Sequence, residues 1–220
     1  MSLPGVFVVL EGVDGSGTTT QLDAVRQALE ARGVSVLATR EPTPGPIGRF
    51  LREALAKRLL DEQGRALELD WAAMALLFAA DRVDHVEREI RPALERGEWV
   101  LSDRYDLSSI VYQSATSPLG DEAVEWLRAL NSRALRPTLT LVLTLDPEVA
   151  AARRRARGGP EELYERAELQ VRLGRGYAAA QRLLPDDAIT FIDAAGSREQ
   201  VTADILAALT KWLPSPSSIA

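Results

Sequence analysis

Short apolar runs alternate with longer amphipathic segments along this chain. Five runs are apolar at almost every position and predict strands at residues 6–10, 34–38, 99–102, 139–145 and 189–192. Between them, apolar positions recur with the period of a helix near residues 19–32, 47–60, 68–97, 107–116, 120–133, 147–157, 161–183 and 197–212. Because fully apolar strands are buried on both faces, the pattern predicts an α/β fold with a five-stranded parallel sheet.

The connections between these elements indicate where a ligand would bind. Strands joined by right-handed helical crossovers form a doubly wound sheet, whose ligands bind beyond the carboxyl ends of the strands. No linker rich in proline, glycine and serine divides the chain, so residues 1–213 are expected to form one domain. The last residues, 214–220 ("PSPSSIA"), are expected to form a disordered tail.

Composition then narrows the classes of function. The chain of 220 residues is 46% hydrophobic and 26% charged, which is typical of a soluble globular protein. A net charge of -6 gives no general attraction to nucleic acid, and the absence of cysteine excludes disulfides and thiolate metal sites. No apolar run could span a bilayer, and the N-terminus lacks a basic segment followed by a long apolar run. We therefore expect a cytoplasmic protein that binds neither nucleic acid nor membrane.

The segment "EGVDGSGTTTQ", residues 11–21, follows the first apolar run and begins a helical pattern. A phosphate-binding loop, G-x-x-x-x-G-K-[ST], lies in this position, where its glycines let backbone N–H groups and a helix N-terminus face a phosphate. A glycine-rich turn without a ligand is the alternative, which the position between strand and helix disfavours. The predicted phosphate-binding residues are Gly12, Val13, Asp14, Gly15, Ser16, Gly17, Thr18 and Thr19, with the Thr19 hydroxyl as a ligand of Mg²⁺.

One position departs from that motif. Thr18 stands where the motif has a lysine, whose charge normally lies against the β- and γ-phosphates of the nucleotide. The chain contains only two lysines, Lys57 in a later helical segment and Lys211 near the C-terminus, and neither is an obvious replacement. If the missing charge is replaced, an arginine must supply it.

Charged residues at two other strand ends are candidate partners of a phosphate. Asp103 and Arg104 lie at the end of the third apolar run, where the carboxylate can organise Mg²⁺ and the guanidinium can bind a phosphate. A capping aspartate beside a solvated arginine is the alternative. Glu41 follows the second run and Arg52 lies on the next helix, although taken alone Glu41 would be interpreted as part of an exposed turn.

Two further patterns lie on helices. Phe78 and Arg82 are one turn apart, so they could stack on and hydrogen-bond a planar base, although a core residue beside a surface residue is the commoner arrangement. His85 is expected on the helix surface without a role.

The run "AARRRARGG" places four arginines at a helix C-terminus, where positive charge is favourable by itself. They also suit a short lid near residues 153–165 that closes over phosphates.

In this order the motifs resemble those of thymidylate kinases. The resemblance covers nearly the whole chain and is carried by "FVVLEGVDGSG", "TREP", "LLFAADR", "RPALERGEWVLSDRYDLSSIVYQ", "LTLDPEVAAARRRARG" and "FIDAAGS". It implies the three-layer α/β/α fold of P-loop NTPases and the transfer of the γ-phosphoryl group of Mg-ATP to dTMP, giving dTDP and ADP. It also implies a homodimer, to which residues 71–80 are a candidate contributor.

The resemblance assigns roles to individual residues. It implies that Phe78 stacks on thymine and that Arg82 bonds the edge of the base. The implied dTMP-binding residues are Glu41, Arg52, Phe78, Arg82, Arg104, Ser108, Ser109, Tyr112 and Gln113. The implied neighbours of adenine are Ala194, Ala195 and Gly196, and the implied Mg²⁺ ligands are Thr19 and Asp103. The implied catalytic residues are Asp14, Asp103, Arg104, Arg153, Arg155 and Arg157.

The chain departs from the family pattern at two positions. The first is Thr18, and the second is Leu163 in "ELYE" (residues 162–165), where the family commonly has an arginine. We expect a lid arginine, Arg153 or Arg157, to cover the charge that Thr18 lacks. Two other functions remain open, a kinase of another pyrimidine nucleotide and a non-catalytic nucleotide-binding relative.

Overall fold

The protein is described by a computed structural model, which covers residues 4–120, 122–157, 164 and 167–213. Its sheet has five strands, β1 (Phe7–Gly12), β2 (Val36–Arg40), β3 (Trp99–Asp103), β4 (Leu139–Thr144) and β5 (Ile189–Asp193). All paired strands are parallel, and their order across the sheet is β2-β3-β1-β4-β5. The predicted five-stranded parallel sheet is confirmed.

Helices follow each of the strands. Their bounds are α1 (Thr18–Glu30), α2 (Pro46–Leu55), α3 (Trp71–His85), α4 (Arg91–Glu95), α5 (Asp106–Thr116), α6 (Glu122–Leu130), α7 (Pro147–Arg157), α8 (Ala167–Ala178), α9 (Ala180–Leu183) and α10 (Arg198–Ala208). A π-helical turn, Val86–Ile90, joins α3 to α4, and a 3₁₀ turn, Thr210–Trp212, follows α10. No helix within these described ranges is long and apolar enough to cross a membrane.

Two hydrophobic layers cover the sheet. On one face, Val25 of α1 and Ile205 of α10 pack against Leu141 of β4. The other face carries α5 and α8, with Leu173 in the same cluster as Val142 of β4. Successive residues of β4 therefore enter opposite layers, which is why its sequence is apolar at both alternating sets of positions. The three-layer α/β/α arrangement that the resemblance implied is confirmed.

The register of the central strands determines where the site lies. Leu10 of β1 is opposite Asp103 of β3, and the backbone N–H of Arg104 donates to the Leu10 carbonyl at 2.9 Å. The loop that follows β1 and the residues that follow β3 therefore emerge side by side at the carboxyl edge of the sheet, as expected for a doubly wound fold.

Several element boundaries differ from those predicted. The strand expected at 34–38 spans Val36–Arg40, because Val34 packs at the end of α1, where its N–H donates to the Leu29 carbonyl at 3.1 Å. The helix expected at 47–60 ends at Leu55, and Lys57 adopts the left-handed conformation with φ 54°. Apolar character at Val34 therefore came from helix packing and not from a strand.

The two longest predicted helices are also divided. The segment 68–97 contains α3, the π-helical turn and α4, and the segment 161–183 contains α8 and α9 with a break at Ala179. Of the predicted lid at 153–165, only residues 153–157 and 164 lie in the described part. The predicted tail, 214–220, lies outside it.

Candidate active site

The predicted phosphate loop lies between β1 and α1, and its conformation depends on its glycines. Gly15 and Gly17 have φ of 92° and 94°, in the left-handed region that side chains disfavour. A Cβ on Gly15 would lie 2.6 Å from the Ala150 carbonyl oxygen of α7, and one on Gly12 would lie 2.8 Å from the Leu143 carbonyl oxygen. The loop can therefore approach α7 and β4 this closely only without side chains at these positions.

A cavity of about 580 Å³ opens above this loop. Its walls bring together most of the predicted phosphate and adenine residues with charged side chains from other elements. The lining residues are Val13, Asp14, Gly15, Ser16, Gly17, Thr18, Thr19, Thr20, Gln21, Asp103, Arg104, Arg153, Arg154, Ala194, Gly196, Arg198 and Val201. Gly12, Ala195 and Arg155 belong to the predicted sets but are not in this lining.

Thr19 and Asp103 meet at the floor of this cavity. The Thr19 hydroxyl donates to Asp103 Oδ2 at 2.5 Å, whereas Asp103 Oδ1 is buried with no hydrogen-bond partner among the described residues. A buried carboxylate oxygen left without a donor fits a hard cation, and Mg²⁺ commonly takes one or two protein oxygens together with waters and substrate phosphates. No cluster of three or more histidine, cysteine, aspartate or glutamate side chains suited to a metal occurs among the described residues. The predicted pair therefore fits Mg²⁺ in this mode.

Arg104 connects the phosphate loop to the helix that follows β3. Its Nη2 lies 2.6 Å from Asp14 Oδ1, and its Nη1 donates to the Gly12 carbonyl at 3.1 Å and to the Tyr177 hydroxyl at 3.0 Å. Its φ of 71° is unusual for a residue with a side chain. Backbone strain of this kind concentrates at functional sites, where the surrounding contacts hold it.

A second cavity of about 150 Å³ adjoins the first and shares Asp14 and Arg104 with it. Eight of the nine predicted dTMP residues line it, together with other side chains from the same elements. The full lining is Asp14, Glu41, Pro42, Leu55, Phe78, Arg82, Arg104, Tyr105, Ser108, Ser109, Tyr112, Gln113 and Tyr164. The ninth, Arg52, is outside this lining and donates to the carbonyls of Pro42 at 2.8 Å and Thr43 at 2.5 Å.

Four polar atoms in residues that line this second cavity are buried and have neither a hydrogen bond nor an ion pair with another described residue. They are Arg82 Nε, Tyr105 Oη, Ser109 Oγ and Gln113 Oε1. Buried polar groups are rarely left unsatisfied, so these atoms mark positions where a bound molecule would form hydrogen bonds. Phe78 is half-buried in the same wall, where it offers an aromatic face. The second cavity therefore suits a planar polar ligand.

Comparison with known proteins agrees with this geometry. The sequence model of the family described as "Thymidylate kinase" matches residues 10–205. A "Probable thymidylate kinase" of Pyrococcus abyssi is 40% identical over 203 residues, which cover 92% of this chain and 95% of that protein. The "Thymidylate kinase" of Rhizorhabdus wittichii is 41% identical over 216 residues, covering 96% and 100% of the two chains. That of Symbiobacterium thermophilum is 39% identical over 209 residues, covering 95% and 94%.

The chain belongs to the thymidylate kinase family. Members are nucleoside monophosphate kinases, which bring two nucleotides together, and the described residues form two adjoining cavities. In the predicted phosphate loop of this chain, Thr18 stands at the position where the motif has a lysine. Thr18 is buried in the first turn of α1 and lines the first cavity without adding a charge.

The arginines of α7 have different surroundings. Arg153 donates through Nη2 to the Ala194 carbonyl at 3.1 Å, on the predicted adenine side. Arg154, which was in none of the predicted sets, donates through Nη1 to the Asp14 carbonyl at 2.6 Å. Arg155 is exposed, and the side chain of Arg157 lies outside the described part. The compensating role predicted for Arg153 or Arg157 stays a prediction.

His85 was expected on the surface, and that expectation is wrong. It is 2% exposed, and its ring nitrogens lie 3.1 Å from Glu41 Oε1 and 2.7 Å from the Thr39 hydroxyl. Glu41 is buried too and forms an ion pair at 2.8 Å with Arg82. The polar side of α3 is therefore buried against the residues at the end of β2, and it holds Glu41 from two positions one turn apart.

Sequence reasoning missed four polar residues that shape the candidate site. Glu11 accepts from the backbone N–H groups of Tyr105 at 2.9 Å and Ser108 at 3.1 Å. Burial raises the pKa of Glu11 to about 7, although the charge of Arg104 and the hydrogen bonds from Ser108 and Tyr105 lower it. A charged residue inside an apolar strand was the available signal. The others are Tyr164, Gln170 and Tyr177, which no local pattern distinguished.

Proposed function

We propose that this protein transfers the γ-phosphoryl group of Mg-ATP to the 5′-phosphate of dTMP, giving dTDP and ADP. The observation that carries this proposal is the pair of adjoining cavities that share Asp14 and Arg104. A donor held by the phosphate loop and an acceptor held in the second cavity would meet at these two residues. Family membership supports the choice of nucleotides.

Positioning and charge neutralisation account for most of the catalysis in this proposal. A phosphate monoester is already a competent nucleophile, so no strong general base is required. The loop N–H groups and the N-terminus of α1 bind the donor phosphates, and Arg104 binds the acceptor phosphate beside Asp14. Mg²⁺ held through Thr19 and Asp103 would neutralise charge on the phosphates.

The acceptor base would be recognised in the second cavity. Phe78 offers its ring for stacking, while the unpartnered atoms of Arg82, Ser109 and Gln113 offer hydrogen bonds to the base and sugar. Tyr112 lies in the same wall and would disfavour a ribose 2′-hydroxyl. Burial raises the pKa of the Tyr112 hydroxyl, which therefore stays protonated and donates to Asp14 Oδ2 at 3.1 Å.

We extend the proposal to the organisation of the protein. Residues 1–213 would act as one unit, with a short lid near 153–165 that closes over the ATP phosphates. The protein would work in the cytoplasm as a homodimer. The exposed apolar side chains of α3, Leu76 at 53% and Val83 at 41%, support a contact through this helix.

A panel of nucleoside monophosphates tests the function. ADP release would be measured with dTMP, dUMP, dCMP and dGMP as acceptors, and we expect the highest kcat/KM with dTMP. A clear preference for another monophosphate would mean that this monophosphate, and not dTMP, is the acceptor. Measurable dTMP binding without detectable dTDP would instead identify a non-catalytic nucleotide-binding relative.

A further inference from the structure

We propose that Arg154 supplies the positive charge that the phosphate loop lacks at Thr18, holding the loop backbone while lying beside the ATP phosphates. This inference rests on the proposed ATP site, but not on the identity of the acceptor. It assigns the compensating charge to a residue in the middle of the arginine run, and not to Arg153 or Arg157 on either side of it.

The first observation is the contact between Arg154 and the loop. Arg154 Nη1 lies 2.6 Å from the carbonyl oxygen of Asp14, and the same side chain lines the cavity above the loop. A Cβ on Gly15 would lie 3.2 Å from Arg154 Cγ, so the absence of a side chain at Gly15 leaves room for the arginine stem. The guanidinium therefore reaches the loop from α7, across the surface of Gly15.

The second observation concerns the charge of Arg154. Among the described residues, its hydrogen-bond acceptors are the neutral carbonyl of Asp14 and the neutral amide of Gln170, and no described carboxylate pairs with it. Arg104, by contrast, is paired with the Asp14 carboxylate at 2.6 Å. Because an unpaired guanidinium keeps its full charge for a phosphate, Arg154 is better suited to this role than Arg104.

The third observation is the support behind Arg154. Gln170 of α8 is buried, and its Oε1 accepts from Arg154 Nη1 at 3.2 Å. Its Nε2 donates to the Tyr164 carbonyl at 2.8 Å and lies 3.4 Å from Asp14 Oδ2. The same amide therefore orients the arginine and contacts the loop and residue 164, so the guanidinium is held in place before a nucleotide binds.

A double-mutant cycle between Arg154 and Thr18 tests this proposal. Affinity for Mg-ATP would be measured by calorimetry without an acceptor, so the result does not depend on which monophosphate the enzyme uses. We expect Arg154→Gln, which keeps a hydrogen-bond donor but loses the charge, to weaken ATP binding roughly ten- to a hundredfold. Thr18→Lys in that background should recover most of the loss, whereas Thr18→Lys alone should change the affinity far less.

Two companion variants keep the test interpretable. Arg172→Ala removes the same charge from an exposed position on α8 and should leave ATP affinity within about twofold, since screened surface charges contribute little. Arg154→Lys, which retains the charge, should keep more affinity than Arg154→Gln. Thermal unfolding of each variant would verify that it is folded at the assay temperature.

Two results would overturn the proposal. The first is an additive cycle, in which Arg154→Gln costs the same affinity with threonine and with lysine at position 18. The second is a loss of less than about threefold for Arg154→Gln in the folded protein, which is smaller than a charge-assisted contact with phosphate supplies. Either result would mean that another arginine supplies the missing charge. Neither result would contradict the proposed kinase activity.

Discussion

Glu11 is a carboxyl group buried in the central strand of the sheet, where an uncompensated charge would be costly. It accepts from the N–H groups of Tyr105 and Ser108, and also from the hydroxyls of Ser108 and Tyr177. In effect it caps the first turn of α5 from a neighbouring strand, where α5 has no cap of its own. Because Arg104 precedes this turn in an unfavourable conformation, Glu11 helps to hold it there.

The raised pKa of Glu11 predicts how stability depends on pH. Its ordinary pKa is 4.5 and its folded pKa is about 7, so between these values the folded state retains a proton that the unfolded state has lost. The stabilisation is complete below the unfolded pKa and is lost as pH rises through the folded pKa. Relative to Glu11→Gln, the free energy of unfolding of the wild type should fall by up to about 3 kcal/mol between pH 4.5 and 7.

Urea unfolding of both proteins across this range would measure the difference. The variant serves as its own reference, since every other titrating group is shared and cancels in the difference between the two curves. Curves that run parallel from pH 4.5 to 7 would contradict a raised pKa and would mean that the hydrogen bonds and the charge of Arg104 fully offset the effect of burial.

At the level of single residues, the sequence predicted which residues line the candidate site better than it predicted which residues they contact. Thr19, Asp103, Arg104 and Phe78 were recognisable because each lies at a strand end or within a motif. The contact of Arg154 with Asp14 was not, because 140 positions separate the two residues and four similar arginines lie together. Choosing among those arginines requires the direction of each side chain from α7, which helical spacing alone does not provide.

The helix α3 organises the second cavity, the proposed acceptor site, through the loop that follows β2. Asp81 is buried on this helix and accepts from the Thr43 backbone N–H at 2.7 Å and the Thr43 hydroxyl at 2.6 Å. The Thr43 carbonyl in turn accepts from Arg52 at 2.5 Å. Asp81 therefore fixes one end of the loop whose other end carries Glu41 and Pro42 into the second cavity.

Removing this tether should affect the acceptor site selectively. Asp81→Ala would leave the buried Thr43 N–H without an acceptor, which costs about 1–3 kcal/mol of unfolding free energy. We expect the KM for dTMP to rise severalfold while the KM for ATP stays within twofold, because the loop lies on the acceptor side only. Chemical denaturation and steady-state kinetics with each substrate varied would measure both effects.

Asp84→Ala is the matched control on the same helix. Asp84 pairs with Arg88 at the surface, so its loss should change stability by less than about 0.5 kcal/mol and leave both KM values unaltered. An equal rise in the KM for ATP after Asp81→Ala would contradict the proposed division between donor and acceptor sides.

Elements were predictable where one physical cause produced the pattern. The five strands lie near their predicted positions, because burial on both faces leaves few polar residues in them. The predicted boundaries of elements were wrong where a second physical cause also shaped the sequence pattern. Val34 is apolar because it packs at the end of α1, and the segment after Leu55 looked helical although Lys57 is left-handed. Backbone reversals of this kind have no side-chain pattern unless glycine marks them.

At the scale of the whole molecule, the residues of the candidate site lie together at the carboxyl edge of the sheet. The periodicity predicted a parallel sheet. The rule that ligands bind beyond the carboxyl ends of the strands in doubly wound sheets predicted which edge of the sheet carries the site. The order β2-β3-β1-β4-β5 was not contained in the pattern, since any order of apolar strands would satisfy it. That order places β1 beside both β3 and β4, so the loop after β1 can contact Arg104 on one side and α7 on the other.

The exposed face of α3 carries the last prediction, which concerns the proposed homodimer. Leu76 and Val83 are seven residues apart and therefore lie on the same side of the helix, while Phe78 and Arg82 of the same helix line the second cavity. If two copies meet through this face, Leu76→Glu would place two charges in the apolar contact. We expect this variant to sediment as a monomer at concentrations where the wild type is a dimer.

Leu119→Glu provides the comparison, because Leu119 is 52% exposed, about as much as Leu76, and lies outside α3. It should leave the mass in sedimentation equilibrium unchanged. The monomeric Leu76→Glu protein should also have a raised KM for dTMP, since the helix that forms the contact also carries the wall of the acceptor cavity. A wild type that is already monomeric would contradict the proposed homodimer. A Leu76→Glu protein that still dimerises would move the contact to another surface and would separate it from dTMP binding.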